Sequence, residues 1–175
     1  MDAVILASPN HTMNVNWLMK NFIDRLSYLM HRPRFFDQRF FILITSGSFP
    51  GIKKALKALS PMASGGKIVN RLGVMNSPGM NHSKIKKEEK KISAHARNFT
   101  AAMQKKHKFG VSFINMLWFS VFKATTKIQA DKYPADFEYY KNKNFFVETQ
   151  LRTYQRLTIS VFTKFFQFLV KKGFV

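Results

Sequence analysis

The chain has no cysteine and few acidic residues: nine Asp and Glu stand against 29 Lys and Arg in 175 residues, a formal charge of +20. The missing thiols exclude disulfides, thiolate metal sites and cysteine-ligated iron–sulfur clusters. They also fit a reducing compartment, so a cytoplasmic location is the expectation. With carboxylates scarce and the histidines His11, His31, His82, His95 and His107 scattered singly, no Ser-His-Asp or metal-ligand spacing stands out. Long hydrophobic runs are absent too. The densest, Phe109–Phe122, is uncharged but has 14 residues, short of the about 20 a membrane-spanning helix needs. The opening residues lack the basic region and apolar core of a signal peptide. There is no internal repeat and no low-complexity segment. The excess of positive charge implies attraction to polyanions. No familiar nucleic-acid motif accompanies it, so no specific nucleic acid is expected, and a peripheral anionic-membrane contact and a merely solvated basic surface both stay open.

What is present begins with a strand, a loop and a helix. Ala3–Ala7 is a continuous apolar run, as in a parallel strand covered on both faces. A polar loop, Ser8 to Met13, separates it from a helix expected over Asn14–Leu29, with Trp17, Leu18, Phe22, Leu26 and Leu29 on one face and Asn14 at or beside its N-cap. Phe40–Ile44 is a second buried-type strand, ending in the small-residue loop Thr45–Gly51. Ile52–Met62 reads as a helix broken by Gly65-Gly66, and Lys67–Met75 as a weaker third strand before the turn Asn76–Gly79. Strands alternating with helices predict an α/β fold with a parallel sheet.

Beyond residue 80 the character changes. Lys84–Lys108 reads as a basic helix with an apolar stripe of Ile85, Ile92, Ala96, Phe99 and Met103. The block Phe109–Phe122 is expected to pack as core or interface, with interfacial membrane contact as the other reading. A last helix is expected over Thr149–Lys172, with Tyr154, Leu157, Val161, Phe165 and Phe168 recurring along it. The expected organisation is therefore an α/β core over residues 1–80 and a basic helical part over residues 81–175 packing on the same domain.

The stretch Asp2–Arg25 resembles the flavin-contacting segment of flavodoxin-like NAD(P)H-dependent FMN oxidoreductases, the FMN reductase and quinone reductase group. The likeness rests on a strand ending in Ser8-Pro9 and on the helix run Lys20-Asn21-Phe22-Ile23-Asp24-Arg25. The loop Thr45–Gly51 and the tail segment Phe137-Glu138-Tyr139-Tyr140-Lys141 are similar more weakly. The resemblance implies a flavodoxin-like three-layer α/β/α fold with a reduced sheet and a helical C-terminal extension. It also implies FMN and NAD(P)H as cofactors, with hydride passing from nicotinamide to flavin and on to a quinone or other small acceptor. Ring binding is expected from Pro9, Asn10, His11, Thr12, Met13 and Asn14, and from Thr45, Ser46, Gly47 and Gly51. No catalytic or metal-binding residue is assigned.

In that family the segment belongs to the third strand and helix, after a strand and Ser/Thr loop that bind the FMN phosphate. Those earlier elements are not found in this sequence. Two expectations follow: Ala3–Ala7 becomes an edge strand prone to association, giving a homo-oligomer, and flavin binding depends on whether the ring loops suffice. The alternative is a truncated, non-catalytic flavodoxin-fold protein that acts through association or through anionic partners.

Overall fold

The computed structural model describes residues 3–105 and 109–173. The expected end of the basic helix at Lys108, and His107, lie outside them. The chain divides into two compact units, Met1–Lys108 and Phe109–Val175.

The first unit is an α/β sheet with helices on both faces. Its strands are β1 (Ala3–His11), β2 (Asn14–Val15), β3 (Arg39–Ser46) and β4 (Lys67–Met75), in the order β2-β1-β3-β4. β1, β3 and β4 run parallel, and β2 is a two-residue antiparallel return on the end of β1. β3 is central and apolar from Phe40 to Ile44, so alternate side chains serve opposite faces. Phe40, Ile42 and Ile44 join Leu6, Ala55 and Leu59 in one cluster; Phe41 joins Leu72, Val74 and Phe99 in another. Helices α1 (Trp17–Arg25) and α2 (Ile52–Leu59) cover the first face, and α3 (His82–Met103) the second. This is the expected three-layer arrangement with a reduced sheet.

Two local features fix the layers. Gly73 leaves room for α2, because a Cβ there would lie 2.3 Å from Ile52 Cγ2. On the other face α3 docks largely through polar groups. Asn70 donates to the His95 carbonyl at 2.8 Å, Asn98 donates to Asn70 at 2.9 Å, and His95 stacks on Phe41.

Several helix expectations change here. α1 starts at Trp17, capped by Asn16, whose side chain accepts the Met19 N–H at 2.9 Å. Asn14 instead pairs in β2, because the chain must turn back on itself before the helix starts. Leu26, just past α1, packs inward as expected, but with it pack Met19 and Ile23, whereas Trp17, Leu18 and Phe22 are exposed. Leu29 is buried, but in a separate 3-10 turn over Ser27–Met30. The stripe expected on α3 is buried only at Phe99; Ile85, Ile92 and Met103 are exposed. The unit boundary falls after residue 108, so α3 goes with the sheet.

The second unit is helical: α4 (Phe113–Ile128), α5 (Pro134–Tyr140) and α6 (Thr153–Lys171). Its centre is Phe119, fully buried, with Tyr140, Phe145 and Phe146 around it at centroid distances of 5.6, 5.6 and 5.2 Å. Ser120 donates to the Met116 carbonyl of its own helix and lies 3.3 Å from the Ile159 carbonyl of α6. On α6 the buried positions are Gln155, Ile159 and Val170. The residues that recur along it, Tyr154, Leu157, Val161, Phe165 and Phe168, all face solvent. Both faces of α6 are apolar, and periodicity alone does not say which one packs. No described helix is long and apolar enough to cross a membrane.

Candidate functional site

In an open parallel sheet, loops at the carboxyl ends of neighbouring strands share one edge, where ligands bind. β1 and β3 pair in register with Pro9 opposite Thr45, so the loops that follow them emerge side by side. The segment after β4 joins them: the Asn76 N–H donates to the Ser46 carbonyl at 2.9 Å and Ser77 Oγ donates to the Gly47 carbonyl.

The first loop is a two-residue hairpin turn. Thr12 and Met13 carry φ of 48° and 62°, the left-handed region used at both central positions of a type I′ turn. Neither is glycine, so the turn holds local strain of about 1–3 kcal/mol per residue. The loop is held from both sides. The Asn10 amide donates to Ser46 Oγ at 2.9 Å and to the Pro50 carbonyl at 2.8 Å. Ser46 Oγ donates in turn to the Ser48 carbonyl at 2.6 Å. Gly51, with φ of 92°, presses on the hairpin: a Cβ there would lie 2.4 Å from Met13 Cα. Ser8 Oγ accepts the Asn16 N–H at 3.2 Å, tying the strand end to the helix start.

The expected ring-binding residues are therefore brought together, but their roles divide. Asn10, Ser46 and Gly51 bind the two loops to each other. Gly51 makes its close approach to Met13. Pro9, His11, Thr12, Met13, Asn14, Thr45 and Gly47 are exposed along the sheet edge. Gly47 has only the Asn76 carbonyl near its missing Cβ, at 3.8 Å, so its face is open. Sequence reasoning passed over two contributors. Ser77 braces the second loop, and Phe49 stands 81% exposed at its tip. Phe49 was visible in the sequence as a lone aromatic among small residues; nothing flagged Ser77.

This edge offers backbone groups, the exposed His11 imidazole, and two exposed apolar side chains, Met13 and Phe49. Such a set suits a planar ligand with a polar rim: apolar groups against its face, amides and imidazole at its edge. An FMN ring system is a ligand of that kind, and these residues could hold it. Among the described residues no cluster of His, Asp and Glu could hold a metal ion.

Comparison with known proteins gives a match over the stretch that contains this edge. Residues 1–81 match the model of a family described as NADPH-dependent FMN reductase. The match runs from β1 through the turn after β4 and stops at Asn81, the N-cap of α3. It is consistent with a flavodoxin-like FMN reductase over that stretch, as the resemblance of Asp2–Arg25 implies. No curated protein matches the chain.

Proposed function

We propose that this chain, which over residues 1–81 matches the NADPH-dependent FMN reductase family, is an NAD(P)H-dependent flavin oxidoreductase. The single observation that carries the reading is that match, falling on the elements that build the loop cluster. Bound FMN would accept hydride from the nicotinamide and pass electrons to a quinone or other small acceptor. The chain's own part is to bind and orient. Gly47 leaves the backbone of the second loop accessible, Met13 and Phe49 offer apolar surface, and His11 offers a polar group for the ring's rim. The Asn10–Ser46–Pro50 bonds hold the two loops in register.

The test is titration of FMN into the purified full chain, followed by flavin fluorescence, the visible spectrum and NADPH oxidation. Saturable quenching with flavin-dependent NADPH oxidation is the expected result. No saturable binding overturns it.

A second reading is favoured by one feature of β1. Among the described residues, Ala3–Pro9 pairs with β3 on one side only, and β2 covers just Asn10 and His11 on the other. Ile5 is 60% exposed beside that open edge. Open strand edges invite pairing with another chain. This supports a homo-oligomer, and in a protein without flavin activity it supports a scaffold acting by association.

A further inference from the structure

The second unit holds an open cleft of about 590 Å³ beside α4, α6 and the segment that leads into α6. Lys123 and Lys127 reach it from α4, and Arg156 and Lys164 from α6. Among the described residues no carboxylate lines it, and neither α4 nor α6 contains an acidic residue. Among the described residues Lys127, Arg156 and Lys164 form no ion pair. Lys123 is partly committed: its ammonium donates to the Lys143 carbonyl and lies 5.6 Å from the Phe119 ring centroid. Burial, and then the neighbouring Lys127, push its pKa below the ordinary lysine range. Two hydroxyls, Ser160 and Thr163, lie on the same wall. Thr163 Oγ1 is buried with no hydrogen-bond partner, an unsatisfied donor at a site crowded with positive charge.

Like charges gathered in a concave surface repel each other and focus the field outward, so the arrangement is stabilised by whatever anion enters it. We infer that this cleft binds a phosphate-bearing anion. The donor types favour phosphate. A guanidinium supplies a planar fork, ammonium groups supply point charges, and hydroxyls complete the oxygen shell. The volume lies in the range of small-molecule sites and admits a diphosphate or a phosphate with an organic body. The inference does not rest on flavin binding: the cleft lies wholly in the second unit, outside the residues that match the FMN reductase family.

The experiment is calorimetric titration of pyrophosphate into the full chain at fixed ionic strength. Saturable one-to-one binding is expected, weakened at least about tenfold by Lys127→Gln and by Arg156→Gln. Lys132→Gln removes the same charge outside the cleft and should leave the affinity unchanged. Both cleft residues are exposed, and thermal unfolding of each variant confirms that it folds. Competition between pyrophosphate and vesicles carrying a phosphoinositide identifies the source as a lipid headgroup. Pyrophosphate binding that such vesicles do not compete away identifies a free phosphate compound. Unsaturable binding, or equal weakening by Lys132→Gln, means diffuse charge and overturns the inference.

Discussion

At the scale of single residues, the loop cluster depends on two contacts that can be removed one at a time. Gly51 combines a left-handed backbone with a 2.4 Å approach to Met13. Gly51→Ala meets both penalties, backbone strain and overpacking, and should cost about 2–4 kcal/mol in a denaturant titration. Asn10→Ala removes both bonds that join the loops, for about 1–2 kcal/mol. If the loops form the flavin site, the same variant weakens FMN quenching by more than its stability loss explains. Glu88 gives a pH-dependent counterpart. Burial raises its pKa, but the hydrogen bonds from Lys91 and the Met75 N–H, with the charges of Lys91 and Lys87, outweigh it and hold the carboxyl below its ordinary value. A folded pKa below the unfolded one means stability that is full above the unfolded value and lost as pH falls through the folded one. Wild type should therefore exceed Glu88→Gln in stability at neutral pH, with the gap closing in acid. A pH series of thermal melts on both proteins checks this.

At the scale of elements, what the sequence showed depended on how much each element's pattern constrains. The strands were legible because Phe40–Ile44 is a short apolar run and Lys67–Met75 a weaker one, each closed by turn residues, and the structure places β3 and β4 there. α2 was legible by its helical spacing: Ile52, Ala55, Leu56 and Leu59 share one side, and Ala55 and Leu59 are buried. For α1, α3 and α6 the helix was legible but the packed face was not. Of the expected stripe Leu26 packs, but Trp17, Leu18 and Phe22 do not, and Met19 and Ile23 take their place, because the chain turns through β2 before the helix begins. On α3 the packed face carries Glu88, His95 and Asn98, which bind through polar groups that no hydrophobic period can find. The candidate site was legible as two loops, but not the division between residues that brace and residues that face outward, since that depends on partners across the sheet. The open edge of β1 yields a prediction at this scale. Ile5→Lys places a charge beside the unpaired edge, a device that discourages strand pairing. Light scattering during gel filtration should show the wild type as an oligomer and the variant shifted toward monomer. A wild type that stays monomeric at high concentration overturns association through this edge.

At the scale of the whole molecule, charge and exposed apolar surface have to be read together. A net +20 alone argues only for solubility and nonspecific attraction to anions. The second unit adds something charge does not require. On α6, Tyr154, Leu157, Val161, Phe165 and Phe168 are each more than half exposed, on the side opposite the buried Ile159. On α4, Ile114 and Trp118 are also more than half exposed. Scattered exposed apolar side chains are ordinary, but a row along one helix is not. Arg156, Lys164 and Lys171 stand on the same helix, which has no acid. Apolar surface with Lys and Arg beside it is the composition of a helix that lies in the interface of an anionic bilayer, where burial and electrostatics add. A second copy of the chain would satisfy the apolar row but gain nothing from the basic residues, whereas a phosphatidylserine surface satisfies both. Co-sedimentation with phosphatidylserine vesicles should therefore be strong at low salt and weaken as salt screens the charges. Leu157→Asp with Phe165→Asp should reduce it about tenfold or more at constant salt, through lost apolar burial and an opposed charge. Substituting basic residues alone should lower the salt dependence and leave a residual, salt-insensitive binding. If the double variant sediments as wild type does, the exposed row has no part in the contact, and the attraction is that of an unpatterned basic surface.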